Sequence, residues 1–281
     1  MEFIGPFTYT AVRFTLGTLV LVPFYLVRRR KNERLNGSIE IKTVSDQVCG
    51  ETKQERKRLI LYQIILGLLL FGGISFQQYG LLFTTAGNAG FITGFYVVLV
   101  PVAGLFIGHK NHWSLWTGVV LAITGLFFLS VTSTFQVRHG DLLVAVCAVF
   151  WTFHVLLVGH IAPKCDPVKI AIIQFAICSV LSFIVAFLFE SIDLALIQKA
   201  AIPILYGGIL SVGIAYTLQI VAQQHAHPSY ASIILSMESL FAVLGGWLIL
   251  DEHFSLRSLL GCLLMLAGMI VVQVKEMNSA K

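Results

Sequence analysis

The chain has 281 residues, 57% of them hydrophobic and only 12% charged, with a mean hydropathy of +0.86. A soluble globule carries about twice that share of charge to cover its surface. The composition therefore excludes a soluble enzyme, a disordered chain, a collagen-like fibre and a disulfide scaffold, and leaves an integral membrane protein. The net charge of +5 is no nucleic-acid signal, because residues 28–58 alone hold 10 basic and 5 acidic residues and the rest of the chain sums to zero.

Nine apolar runs are long enough to cross a bilayer, which takes about 20 residues of helix. In chain order they are A 7–27, B 59–83, C 86–108, D 113–133, E 141–159, F 168–189, G 200–222, H 228–250 and I 255–274. Helix is the expected conformation, since unpaired backbone groups cannot face lipid; a barrel is disfavoured because the runs are continuous rather than alternating. The fold class expected is thus all-α integral membrane, with nine transmembrane helices.

The connections are short except for the polar loop 28–58. With that loop inside and the spans alternating from it, the inside carries 15 Lys and Arg and the outside 3 (Arg138, Lys199, Arg257), with Arg13 inside span A. This is a strong positive-inside bias, and it places loop 28–58 and the C-terminus in the cytoplasm. No signal peptide is expected before span A. The five cysteines are odd in number and lack CxxC spacing, so neither a disulfide framework nor a zinc site is expected.

The chain also resembles itself at an offset of about 140. Gly73-Ile74-Ser75-Phe76 in B echoes Gly213-Ile214-Ala215-Tyr216 in G, and Ser114-Leu115 before D echoes Ser255-Leu256 before I. Gly118 and Gly125, seven apart in D, echo Gly261 and Gly268 in I. Spans B, C and D then pair with G, H and I, and A pairs with F, leaving E alone. The expected division is a first repeat over 1–133, a second over 134–275 and a tail over 276–281. Five helices make a complete repeat, so the first copy lacks its opening helix (4+5). An odd count per copy inverts the second relative to the first, an arrangement that many secondary transporters use. The plainer expectation for the missing helix is a chain that begins late, by truncation or a misplaced start codon; the alternative is a genuine nine-helix protein.

Particular residues point to a family. Ala215-Tyr216-Thr217-Leu218-Gln219, the run Ala231 to Phe241, Gly245-Gly246-Trp247, Asp251-Glu252 and Gly261 to Gly268 together resemble the C-terminal repeat of EamA-type carriers of the drug/metabolite transporter superfamily. Asn88-Ala89-Gly90-Phe91-Ile92-Thr93-Gly94 leading to Pro101, and Arg13-Phe14, are similar to the matching parts of the first repeat; Trp151, Asp166-Pro167 and Gln174 also fit. The resemblance implies two five-helix repeats, an inner-membrane location, a central cavity, and transport of amino acids, other metabolites or drugs, often outward. The chain departs from the family in lacking its first helix, and in having Ser239 where many relatives have Pro, so span H is expected to be less kinked.

Ionisable groups at membrane depth are costly and so are functional candidates by default. Glu238, eleventh in span H and on a stripe with Ala231 and Gly245, reads as a substrate-amine or proton site, or as a carboxyl bonded to a neighbouring helix. Arg13 reads as the partner of an anionic substrate group, or as a side chain snorkelling outward or binding a helix end. His154 and Trp151, three apart on one face of E, suit a proton relay or packing. Tyr96 and Thr93 in C, Gln78 in B, and Tyr216 and Gln219 in G are polar groups that line a cavity or bond between helices. Ala86, Gly90 and Gly94 read as close packing. The pairs His109/His112 and His225/His227 lack a third metal ligand, so no metal and no cofactor is expected.

The function expected is a secondary transporter of a small organic solute, driven by alternating access. There is no GxxxxGK[ST] loop for direct use of ATP. The alternatives are an integral-membrane enzyme, for which HExxH, GxSxG and paired Asp are lacking, and a shortened carrier inactive in transport. The partners expected are the solute and membrane lipids, with no nucleic acid; a homodimer is left open.

Overall fold

A computed structural model describes residues 4–36, 53–109, 112–130, 139–250 and 255–279. Every regular element among them is helical: α1 Pro6–Asn36, α2 Lys53–Gly80, α3 Ala86–Gly94, α4 Tyr96–Phe106, α5 Trp113–Ser130, α6 His139–Ile161, α7 Pro167–Phe189, α8 Leu194–Lys199, α9 Ala201–Leu205, a π-helical stretch Tyr206–Tyr216, α10 Thr217–Ala222, α11 Pro228–Leu235, α12 Met237–Leu250 and α13 Leu256–Ser279. Seven of the described helical segments are long and apolar enough to cross a membrane, and Trp113–Leu129 is a shorter apolar one. The protein is thus an all-helical, multi-pass membrane protein.

The chain forms two compact units. One comprises residues 1–75 and 157–225, the other 76–156 and 226–281. Each draws its helices from both halves of the sequence.

In the first unit α1 packs along α7. The backbone N–H groups of Phe7 and Thr8 and the Thr8 hydroxyl donate to the Glu190 carboxylate at 2.9, 2.8 and 2.6 Å. Further along, the Thr15 and Ser179 hydroxyls meet at 2.6 Å, and Ser179 also donates to the Ala11 carbonyl at 3.1 Å. Residues early in α1 thus meet the end of α7, so the helices are antiparallel. Glu190 supplies what the first turn of α1 lacks, an acceptor for its unpaired N–H groups and a negative charge at the positive end of the helix.

In the second unit α5 packs along α13, and four glycines set the crossing. A Cβ added to Gly125 would stand 2.6 Å from the Gly261 carbonyl, and one on Gly261 would stand 2.8 Å from the Gly125 carbonyl. Gly118 and Gly268 stand in the same reciprocal relation, at 3.0 and 2.8 Å. Side chains cannot be accommodated where two backbones touch, so small residues at this seam allow the approach. These are the glycines that the sequence pairs as repeat equivalents, and the contacts run antiparallel. Ser255 caps α13 by accepting from the Ser258 N–H at 3.1 Å, as its place before the helix predicts; Asp251 and Glu252 lie outside the described residues.

Several expectations are corrected. Spans C and H each carry a one-residue irregularity in an otherwise helical path, at Phe95 between α3 and α4 and at Ser236 between α11 and α12. The irregularity in H occurs although Ser239 replaces proline, and that in C lies six residues before Pro101. At both sites a single residue adopts a tighter helical geometry, with φ −58° and ψ −18° at Phe95 and φ −62° and ψ −15° at Ser236. Serine hydroxyls aid the second irregularity, because Ser232 and Ser236 donate to the carbonyls of Ser229 and Ile233 at 2.8 and 2.7 Å and compete with the ladder. Gly94 packs on Leu126, whereas among the described residues nothing lies within 4 Å of a Cβ added to Gly90 or Gly245. Cys147, Cys178 and Cys262 are free, whereas Cys165 is disulfide-bonded, which corrects at one position the expectation of no disulfide framework.

Candidate functional site

Four of the sequence candidates meet in the second unit. The irregularity at Phe95 places Thr93 at the end of α3 and Tyr96 at the start of α4. From α6, Cys147, Trp151 and His154 fall four and three apart and share a face. The Cys147 thiol lies beside the Thr93 and Trp151 side chains. The Trp151 and His154 rings meet edge-on, with centroids 5.3 Å apart. Tyr96 packs on Val100, Val155 and Leu156, which ties the start of α4 to the same helix. His154 is only 3% exposed. The resulting wall is aromatic, weakly polar and uncharged, with one imidazole able to accept or donate a proton. Cys147 was not singled out from sequence; its spacing four before Trp151 is the signal that would have found it.

Glu238 occupies the first turn of α12, just past the second irregularity. It is exposed, as are Ile234 and Phe241 on the same stripe. Among the described residues its carboxylate forms no hydrogen bond or ion pair.

Arg13, Tyr216 and Gln219 lie in the first unit. Arg13 does not snorkel: it is 8% exposed, with its guanidinium 5.0 Å from the centroid of the Tyr9 ring and 5.3 Å from that of Phe14. Phe14 meets Phe175 edge-on at 5.6 Å, and Tyr216 stands 6.4 Å from both rings. Gln219 in α10 and Gln78 near the end of α2 are partly exposed and belong to neither cluster. The sequence missed Tyr9 and Phe175; each needs a partner helix before its position acquires meaning.

The histidines pair differently from expectation. Gly108 takes a left-handed conformation, φ +90°, and turns the chain after α4 so that His109 donates its backbone N–H to the Gly104 carbonyl at 2.9 Å. His109 then meets His227, with ring centroids 4.6 Å apart, while His227 caps α11 by accepting from the Ser229 N–H at 3.4 Å. No group of three or more metal-ligating side chains exists among the described residues. Burial, and secondly the neighbouring His109, push the His227 imidazole below its ordinary range. The unfolded chain therefore binds a proton at His227 more readily than the folded one does. Stability is level above about pH 6.5 and falls as the pH drops below that value. The apparent melting temperature in detergent is expected to decline from pH 7 to pH 5, and His227→Gln is expected to flatten that decline.

Two apolar helices with matching one-residue irregularities lie beside polar and ionisable side chains. Comparison with known proteins identifies the family. The model of the EamA-like transporter family matches residues 1–131 and again 138–274, and the chain belongs to that family. An uncharacterized transporter of Archaeoglobus fulgidus is 32% identical over 212 residues, 75% of this chain and 68% of that protein. The uncharacterized transporter YoaV of Bacillus subtilis is 23% identical over 95% of this chain and 87% of its own length. A solved crystal structure superposes with a TM-score of 0.75 at 18% identity, over 95% of this chain and 88% of that one, a likeness of fold.

Proposed function

We propose that the protein is a secondary carrier that moves a small organic solute across the inner membrane by alternating access, with loop 28–58 and the C-terminus on the cytoplasmic side. The observation that carries this reading is the pair of matching helix irregularities at Phe95 and Ser236. They lie 141 residues apart, at equivalent places in the repeat, on helices that pack together in one unit. The reciprocal glycine contacts of α5 and α13 support an inverted repeat, since a two-fold exchange of Gly118 with Gly261 and of Gly125 with Gly268 maps those contacts onto one another. Beside the irregularities, the wall formed by Thr93, Tyr96, Trp151 and His154 offers aromatic and hydrogen-bonding contact to a solute. Glu238 offers a carboxylate for an amine or a proton. A lone carboxylate on an otherwise apolar exposed stripe is too costly for a face turned to lipid, which supports a solvated pathway there. Export is the direction proposed, following the family resemblance.

The test is flux into proteoliposomes of radiolabelled amino acids, carboxylic acids and cationic drugs, with Glu238→Gln alongside. The expected result is flux of at least one solute, reduced about tenfold or more by Glu238→Gln. Absence of flux for the whole panel overturns the carrier reading, and flux indifferent to Glu238 removes that residue from the site.

A further inference from the structure

The membrane core of the first unit contains a single charge. Segments 6–27, 59–75, 170–189 and 201–222 include no Asp, Glu or Lys, and Arg13 is their only Arg. Arg13 is the eighth residue of α1, so it lies about 10 Å along the helix from its start. It is more than nine-tenths buried. Its Nε is sealed from solvent and lacks a hydrogen-bond partner, and among the described residues the guanidinium forms no ion pair. The nearest acid in sequence to the packed segments, Glu190, is already engaged by Phe7 and Thr8. What holds the guanidinium is aromatic: Tyr9 at 5.0 Å and Phe14 at 5.3 Å. A buried charge is costly unless it is paired, and ring faces supply no counter-charge. Room beside the side chain is preserved by Gly207 in the π-helical stretch, where a Cβ would crowd the Tyr9 hydroxyl at 2.7 Å and approach Arg13 Cδ at 3.5 Å. Long π-helical runs are rare and concentrate at functional sites.

We infer that Arg13 is an anion-binding residue that takes the carboxylate of a singly charged organic acid or amino acid, against the ring faces of Tyr9 and Phe14. The inference rests on the carrier reading for its physiological meaning but not for its test. A guanidinium presents a planar fork matched to a carboxylate. One cation with no second Lys or Arg in the surrounding segments suits one negative charge, which argues against a phosphate ester.

The full-length protein in detergent is to be titrated with paired probes that differ only in charge: phenylacetate against phenylacetamide, butyrate against butyramide, and phenylalanine against phenylalaninamide, with inorganic phosphate as a further arm. Equilibrium binding and thermal stabilisation are the readouts. At least one carboxylate is expected to bind about tenfold or more tightly than its amide. Arg13→Gln is expected to erase that preference, and Arg13→Lys to retain it in weakened form, because the charge persists without the fork. If Arg13→Gln does not give a monodisperse protein, the wild type and Arg13→Lys decide. Equal binding of acids and amides by the wild type, an undiminished preference in Arg13→Gln or Arg13→Lys, or tighter binding of phosphate than of any carboxylate overturns the assignment. Flux in liposomes separates the two readings. Transport with no carboxylate preference sinks the anion site and leaves the carrier standing; carboxylate binding without transport does the reverse.

Discussion

Gly125→Leu is expected to remove folded protein from the membrane fraction, or to lower the apparent melting temperature so far that no monodisperse peak survives gel filtration in detergent. A Cβ at that position stands 2.6 Å from the Gly261 carbonyl, and the obstruction is backbone, which cannot rotate away as a side chain does. Overpacking at well-fitted sites costs about 1–3 kcal/mol and more where the backbone must move. Gly261→Leu is expected to act alike, since it meets the same seam from the other side. Gly90→Ala supplies the control: among the described residues nothing lies within 4 Å of its added Cβ, so it is expected to be neutral or slightly stabilising. A Gly125→Leu protein that melts within a degree or two of the wild type would refute the crossing described here.

Glu190→Ala is expected to be the most damaging substitution outside the helix seams. It leaves two backbone N–H groups and a hydroxyl at the start of α1 without their acceptor, and it removes a negative charge from the positive end of that helix. Hydrogen bonds to a charged group contribute about 1.5–3 kcal/mol each, and an unmet buried donor costs a similar amount, so a loss of about 2–4 kcal/mol is expected for the set. Glu190→Gln keeps one acceptor oxygen and is expected to recover part of it. Hydrogen exchange at Phe7 and Thr8 reports directly, with protection lost in Glu190→Ala and unchanged protection contradicting the cap.

Glu190 also shows how far sequence reading reached. As a residue it was legible only as an acid ending span F. Its role depends on α1 lying antiparallel to α7 with the starting turn at the right height, a contact that spans 182 residues of chain. The four glycines were legible in part: their seven-residue spacing and their recurrence in spans D and I marked them, because close helix approach demands small residues at a fixed interval. Which glycine met which was decided by the antiparallel packing. Arg13 was legible as a costly charge, but whether it reached outward or stayed buried depended on rings that only the fold places beside it.

The helix irregularities mark the clearest limit. Proline is the visible cause of a kink, and the expectation drawn from it is only that span H is less kinked because Ser239 stands where many relatives have Pro. The helical path is instead irregular at Phe95 and Ser236, where local propensity carries no strong signal; at Ser236 the serine hydroxyls bond to backbone carbonyls. His109 and His227 are 118 positions apart, and no local pattern links them.

The helical, many-times membrane-crossing character of the chain, its two related halves and the small residues that a tight crossing requires were all readable from the residues alone. Those properties follow from local composition: lipid offers no hydrogen bonds, so apolar length and helix are coupled segment by segment. Which faces meet depended on the packed fold. That grouped Thr93, Tyr96, Trp151 and His154 on one wall, set Arg13 against Tyr9 and Phe14, and left Glu238 open beside an irregularity. Nearly every helix face in such a protein is apolar, so partner choice rests on shape and on a few polar contacts between residues far apart in the chain.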